Sequence, residues 1–260
     1  MIIADIDNHR IIQWKVGDTN GQVVAGGNGE GYGLNQLKRP TDVLIDKETD
    51  SLIICDQGNG RVVRWSRRRG TIEGEILLGY IACCGLAMDN QRNLYISDSE
   101  NDEVRRYQIG QENGIVVAGG HGNGDGVNQL NHPTYLFVDG QQTVYVSDNW
   151  NHRVIKWNNG AKEGIVVAGG HGCGNALAQL SYPQGLFVDT LGTLYVAESW
   201  NNRVTSWSQQ ASQGTVIAGM GGKGNQADQF NGIRGLSFDG HGNLYVVDHY
   251  NNRVQYFSLL

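Results

Sequence analysis

The chain has 260 residues, enough for one large all-β domain or two domains of average size. Its formal charge is −6, from 26 acidic and 20 basic residues, and this argues against nucleic-acid binding, which normally needs a surplus of Lys and Arg. No window approaches the roughly 18 consecutive apolar residues of a transmembrane helix. The N-terminal Met1-Ile2-Ile3-Ala4-Asp5 lacks the basic region of a secretory signal. We expect no membrane segment, and the sequence leaves the cellular compartment open.

Glycine and cysteine usage indicate the kind of fold. The chain has 38 glycines, about twice the usual ~7%, and they separate short runs rich in Val, Ile, Leu and Tyr. This pattern is typical of many short strands joined by tight turns. The four cysteines, Cys55, Cys83, Cys84 and Cys173, match neither a CxxC metal pattern nor a disulfide framework. We expect Cys83 and Cys84 to be small buried residues.

One motif, Asp-x-x-Asn-x-Arg-Val, recurs along the whole chain. Its six copies begin at Asp5, Asp56, Asp98, Asp148, Glu198 and Asp248. The intervals between them are 51, 42, 50, 50 and 50 residues. A fixed period of this length predicts a propeller or a solenoid in which each repeat is one supersecondary unit.

Each repeat divides into four apolar runs of five or six residues, here named a, b, c and d. In residues 134–170 these runs begin at Thr134, Thr143, Arg153 and Gly164, with turn residues between them. The first repeat lacks its a run and the last lacks its d run. The sequence therefore predicts antiparallel blades of four strands with incomplete blades at the two ends, and closure into a ring would remove exposed sheet edges.

An aromatic residue lies four positions after the motif Arg in every copy. Since these rings share one height on the c strands, we expect them to pack in the core between blades. They are Trp14, Trp65, Tyr107, Trp157, Trp207 and Phe257.

The motif resembles the NHL repeat, in which it follows a Leu-Tyr-Val strand and a Gly-Leu-x-Val/Phe-Asp strand. Residues 235–254, Gly-Leu-Ser-Phe-Asp-Gly-His-Gly-Asn-Leu-Tyr-Val-Val-Asp-His-Tyr-Asn-Asn-Arg-Val, are close to its consensus. The resemblance recurs in phase along the chain and implies an all-β, six-bladed β-propeller with residues 1–260 as a single domain. Departures are Glu198 in place of Asp, Glu103 in place of Arg, and the 42-residue interval.

We interpret the motif residues as structural. A catalytic site needs one particular set of residues, whereas a residue that recurs in every blade has a role in the structure of each blade. We expect the motif Asn to adopt the left-handed conformation in the b–c turn, and the Asp and Arg to pair across the turn or to the next blade. Two other patterns fail as sites. Residues 219–224 satisfy GxGxxG but follow a blade strand and lead into no clear helix, and residues 121–132 lack the ligands of a calcium loop.

The b–c turns and the d–a loops leave the same end of a blade, and here the repeats differ. The third motif position is aromatic in three consecutive copies, as Trp150, Trp200 and Tyr250, and histidines lie in the neighbouring loops. Exposed aromatic residues are typical of a binding surface for protein or sugar. The alternative is that each ring packs over the loop beside it.

Residues that begin the a strands are expected to line the mouth of the channel. Arg39, His132, Tyr135, Gln184 and Arg234 are the candidates for this position. The NHL resemblance extends to amidating lyase propellers with a multi-histidine metal site, but only His132 occurs at this level, so that metal site is not carried over.

The sequence therefore favours a non-catalytic binding or scaffold module with a protein or glycan partner, expected to be monomeric as a domain. Two alternatives stay open: a propeller hydrolase or lyase with a site at the channel mouth, and an RNA-binding NHL propeller. No catalytic residue, metal ligand or cofactor is predicted, although a calcium or zinc ion in the channel would favour the enzyme.

Overall fold

A computed structural model of the protein describes residues 1–15 and 17–259. Their strands form six antiparallel sheets, each following the order of the chain. The four inner sheets have four strands and the first and last have three. Each sheet corresponds to one sequence repeat, so this part of the chain is a six-bladed β-propeller with incomplete terminal blades. The predicted fold class is confirmed.

The chain divides into two compact units, Met1–Val116 and Val117–Leu260. The expectation of a single domain stays a prediction. Among the described residues, the first three blades are built from these strands: β1 Ile2–Asp5, β2 Arg10–Gln13, β3 Gln22–Gly26, β4 Asp42–Asp46, β5 Ser51–Asp56, β6 Arg61–Ser66, β7 Glu75–Gly79, β8 Cys83–Met88, β9 Asn93–Asp98, β10 Glu103–Gln108 and β11 Ile115–Gly119. Strand β11 contains the boundary between the units.

The second unit contains the fourth, fifth and sixth blades. Its strands, again within the described part of the chain, are β12 Pro133–Val138, β13 Val144–Asp148, β14 Arg153–Trp157, β15 Ile165–Gly169, β16 Pro183–Val188, β17 Leu194–Glu198, β18 Arg203–Trp207, β19 Thr215–Ala218, β20 Ile233–Phe238, β21 Leu244–Asp248 and β22 Arg253–Phe257. The last blade ends at a c strand, as the sequence predicts.

Short 3-10 helices occupy four of the b–c turns: Ile6–Asn8, Gln57–Asn59, Asn149–Asn151 and His249–Asn251. None of the helices among the described residues is long and apolar enough to span a membrane.

The core of each unit lies between neighbouring blades. In the second unit, Val154 of β14, Leu186 of β16 and Trp207 of β18 belong to one buried cluster. Four of the six predicted core rings are buried to 8% exposure or less, and Trp14 and Phe257 in the terminal blades are partly exposed. Burial of such rings is a large apolar contribution to stability, so the aromatic row stabilises the contacts between blades.

The cysteines depart from the prediction. Cys55 of β5 and Cys83 of β8 form a disulfide with a Cα–Cα distance of 5.6 Å, which links the second and third blades. Cys84 is buried, and its Sγ accepts a hydrogen bond from Gln57 Nε2, whereas Cys173 is exposed. The expectation that Cys83 is simply a small buried residue is therefore wrong: its partner lies 28 residues away in another blade, a proximity created by the fold.

Candidate functional site

The b–c turns are held by the motif residues. Asp148 is fully buried and accepts hydrogen bonds from the backbone N–H of Asn131, from Asn151 Nδ2 and from Arg153 Nε, at 2.7, 2.8 and 2.7 Å. The guanidinium of Arg153 also donates to three carbonyl oxygens of the d–a loop, those of Asp125, Gly126 and Gln129. One buried ion pair thus fixes both the turn and the loop of a blade.

The same network recurs in other blades. Arg61, Arg203 and Arg253 each pair with the motif carboxylate and donate to three carbonyls of the preceding d–a loop. The structural role predicted for the motif Asp and Arg, with pairing across the turn, agrees with these contacts.

The motif Asn does not adopt the predicted left-handed conformation. In all six copies its Nδ2 donates to the motif carboxylate. The left-handed residue is the next one along the chain, with φ between 51° and 59°: His9, Gly60, Asp102, His152, Asn202 and Asn252. Asn ends the 3-10 turn because its amide reaches back to the carboxylate, and the backbone reverses one residue later.

This left-handed residue connects neighbouring blades within each unit. His152 Nδ1 accepts the backbone N–H of Tyr182 at 3.2 Å, and Asn202 Oδ1 accepts that of Gly232 at 2.7 Å. His9 Nδ1 accepts the N–H of Arg39 in the same way at 3.1 Å. Histidine and asparagine therefore have the same role at this position: each accepts a hydrogen bond from a backbone N–H of the segment that leads into the inner strand of the next blade.

Burial lowers the pKa of His152. Protonation would remove the acceptor that Nδ1 offers to Tyr182, so the folded state favours neutral imidazole. The contribution of His152 to stability is complete above its unfolded-state pKa of about 6.5 and is lost as the pH falls through the lower folded-state value.

We predict that His152→Asn reduces the loss of stability on acidification, because Asn202 supplies the same acceptor in the next blade without titrating. The measurement is the urea unfolding free energy of both proteins between about pH 8 and pH 5. Parallel pH profiles for the two proteins would show that the His152 acceptor does not couple folding to protonation.

The three aromatic residues of the third motif position lie in the b–c turns that these hydrogen bonds hold. Trp150, Trp200 and Tyr250 are 56%, 69% and 64% exposed. Their backbone N–H groups donate to the carbonyls of Asn131, Ser181 and Asn231, respectively, which lie just before the inner strands. The three side chains therefore project from turns that are fixed in the same way.

Each ring packs on one side and is open on the other. Trp150 stacks on His132 with ring centroids 4.9 Å apart and an interplanar angle of 8°. Trp200 packs on Tyr182 at 4.4 Å and 32°. The supporting residues occupy equivalent positions in successive repeats, 18 residues before the exposed ring.

In the sixth blade the supporting position is Gly232. A Cβ added there would lie 2.4 Å from Tyr250 Cδ2, so the tyrosine ring occupies the space of the missing side chain. The sequence left two alternatives for these three rings, packing over the neighbouring loop or exposure to solvent. In the structure, each ring packs on one face and is exposed on the other. Trp150, Trp200 and Tyr250, with His132, Tyr182 and Gly232 beneath them, are called the aromatic platforms below.

The candidates for the channel mouth are distributed as follows. His132 belongs to the first aromatic platform, and Arg39 lies in the first unit with its guanidinium 4.0 Å from Asp7. Gln184 and Arg234 share one register on the inner strands β16 and β20, whereas Tyr135 lies one residue further along β12, where Gly185 and Gly235 are its counterparts. Tyr182, absent from the predicted site, was recognisable from its 50-residue spacing to His132.

Asp42 is the inner-strand carboxylate with a marked pKa shift. Burial raises the pKa of Asp42 to about 6. Its two oxygens accept the backbone N–H groups of Val43 and Leu86, each at 2.8 Å, so the side chain connects β4 with β8. We interpret Asp42 as structural.

Within residues 1–15 and 17–259, no group of three or more His, Cys, Asp and Glu residues is arranged to hold a metal ion, and the statements on cofactors stay predictions.

Comparison with known proteins supports the fold. The chain is similar to a structural genomics protein of unknown function from Bacteroides thetaiotaomicron VPI-5482, with 16% identity and a TM-score of 0.74 over 98% of this chain and 65% of that one. It is also similar to an auxiliary nutrient binding protein from the same organism, with 16% identity and a TM-score of 0.73 over 96% of this chain and 64% of that one. The chain thus spans about two thirds of the length of these two proteins or slightly less.

A third similar structure is a streptogramin B lyase, with 9% identity and a TM-score of 0.58 over 100% of this chain and 79% of that one. At these identities the likeness concerns the fold alone. No curated protein sequence matches the chain. The NHL repeat model matches residues 180–205, which contain β16, β17 and the turn that carries Trp200. The chain thus contains an NHL repeat within a six-bladed β-propeller.

Proposed function

We propose that this propeller is a non-catalytic binding module that contacts a protein or glycan partner through the end of the blades bearing the b–c turns and d–a loops. The observation that carries the proposal is the set of three aromatic platforms, each on a fixed turn in one of three successive blades. A soluble domain gains nothing in its own fold from leaving two tryptophans more than half exposed.

The arrangement suits binding for two physical reasons. The underlying His132 or Tyr182 ring holds the upper ring in one orientation, so little side-chain entropy is lost when a partner covers it. Tryptophan and tyrosine also contribute most per residue to binding energy, about 2 kcal/mol or more each where they are fully desolvated. The description of one similar structure as a nutrient binding protein is compatible with a binding role.

We predict that replacing Trp150, Trp200 and Tyr250 together by Ser leaves the fold intact and weakens binding at least about tenfold. The rings are mostly solvent-exposed, so their loss removes little core packing. Ligands are first captured by the wild-type protein from lysate and on a glycan array, and each is then titrated against both proteins. The two routes distinguish a protein partner from a glycan.

A matched control replaces three other exposed apolar residues, Ile115, Ile165 and Leu191, by Ser. These are 54%, 52% and 81% exposed and lie on outer strands or an a–b turn. The control variant is expected to bind as the wild type does. Unchanged affinity in the folded platform variant would refute the proposal.

A further inference from the structure

The platforms of the fourth and fifth blades present ring faces to solvent. Trp150 lies nearly parallel to His132, with an interplanar angle of 8°, and is 56% exposed, so its face opposite His132 is open. Trp200 is tilted by 32° from Tyr182 and is 69% exposed. The face of an aromatic ring carries partial negative charge and attracts weakly positive hydrogens. These two platforms therefore suit a ligand with a flat surface of C–H groups.

The three platforms are joined by contacts between neighbouring blades. The ring of His152, in the turn that carries the first platform, lies 4.6 Å from the ring of Tyr182 in the second platform. Asn202, in the turn that carries the second platform, accepts the backbone N–H of Gly232 in the third at 2.7 Å. The platforms thus form one row over three successive blades, which suits an elongated ligand made of repeated units.

The d–a loops and b–c turns of the second unit are almost free of charge. With histidine counted as neutral, three charged residues, Asp125, Lys223 and Asp228, occur in the six segments 120–132, 149–152, 170–182, 199–202, 219–232 and 249–252. The exposed polar side chains in these segments include imidazoles and amides: His121, Asn123, His171, Asn175, Asn225 and Gln226. Such groups both donate and accept hydrogen bonds, as the hydroxyl groups of a ligand do.

The absence of charge coincides with the aromatic rings. In the first unit the third motif position holds Asp7, Gly58 and Glu100, two of them charged. The six segments of the second unit also contain no arginine, whereas protein interfaces are enriched in arginine together with Trp and Tyr. Nucleic acid would require clustered Lys and Arg. The chemistry around the platforms therefore favours an uncharged ligand rich in hydroxyl groups.

We propose that the platforms bind a neutral oligosaccharide, with a pyranose ring stacked on the open aromatic face; this rests on the binding function proposed above. The sugar class is the β-linked pyranoses with equatorial hydroxyls, namely glucose, xylose and N-acetylglucosamine. Their axial C–H groups form flat apolar ring faces that match the faces of Trp150 and Trp200. Their hydroxyls lie at the rim of the ring, where the imidazoles and amides of the loops serve as donors and acceptors.

The test is isothermal titration calorimetry of the whole chain with β-linked hexasaccharides of glucose, xylose and N-acetylglucosamine. At least one is expected to bind with a dissociation constant below about 1 mM. The folded variant with all three platform rings replaced by Ser is expected to bind it at least about tenfold more weakly. The control variant with three other exposed apolar residues replaced by Ser is expected to bind it as the wild type does.

Two substitutions of Trp200 separate ring stacking from general apolar contact. Trp200→Tyr keeps an aromatic face above Tyr182, whereas Trp200→Leu keeps apolar area without such a face. We expect the Tyr variant to bind the sugar within about threefold of the wild type and the Leu variant at least about tenfold more weakly. Equal affinities of the two variants would overturn the stacking of a sugar on this ring.

The outcomes separate a wrong ligand class from a wrong binding site. If no hexasaccharide binds with a dissociation constant below about 1 mM, or if the platform variant binds it as the wild type does, the sugar assignment is overturned. A captured protein that binds the wild type and not the platform variant would in that case leave the proposed function intact with a protein partner. If neither a sugar nor a captured protein depends on the platforms, both proposals fail.

Discussion

Arg153→Met is expected to lower the free energy of unfolding by about 3–5 kcal/mol, because it leaves a buried carboxylate without its charged partner. Asp148 is fully buried, and the side chain of Arg153 is 6% exposed. The substitution also removes the donor from three d–a loop carbonyls. Urea unfolding followed by tryptophan fluorescence measures the change.

Arg10→Met is the matched control, since Arg10 makes the same ion pair with Asp5 in a terminal blade. The side chains of Arg10 and Asp5 are 36% and 23% exposed. A solvent-exposed pair of this kind contributes at most about 1 kcal/mol. Similar losses in the two variants would contradict the view that burial and the loop contacts make the motif essential.

Gly185→Ala is expected to destabilise the protein by about 1–3 kcal/mol through overpacking between inner strands. A Cβ on Gly185 would lie 2.7 Å from both the carbonyl oxygen of Arg234 and the backbone nitrogen of Leu236 in the next blade. Both atoms belong to the backbone of β20, so they have no rotamer by which to move aside. Thermal and urea unfolding measure the effect.

Gly235→Ala tests the same substitution at the same register one blade later. Its added Cβ would meet Val247 Cγ2 at 3.3 Å, a side-chain atom that can shift by a few tenths of an ångström. We expect a loss of less than about 1 kcal/mol there. If the two variants lose equal stability, the close approach of β16 and β20 is not what requires glycine at position 185.

Much of the fold was predictable because the sequence consists of repeats, each of which forms one blade. The copies that begin at Asp5 and recur to Asp248 place the b–c turns, and the apolar runs around them give the strands with their incomplete terminal blades. The exposure of Trp150, Trp200 and Tyr250 also follows from their place in a polar turn.

Contacts between blades were less accessible from the sequence. The disulfide of Cys55 with Cys83 depends on the packing of β5 near β8 and leaves no spacing signature. The left-handed residue was assigned one position too early, because Asn favours that conformation in isolation but here bonds to the motif carboxylate. The support of Trp200 by Tyr182 is a contact between side chains 18 residues apart, which a motif search along one turn does not examine.

We expect the exposed faces of the aromatic platforms to bind the partner. Hydroxyl-radical footprinting of the complex with a captured ligand tests it directly, since oxidation reports the solvent access of individual tryptophan and tyrosine side chains. We expect reduced oxidation of Trp150, Trp200 and Tyr250 in the complex. Oxidation of Tyr256 on β22, which is 55% exposed in the free protein, is expected to stay unchanged. Unaltered oxidation of all three platform residues in a saturated complex would contradict it.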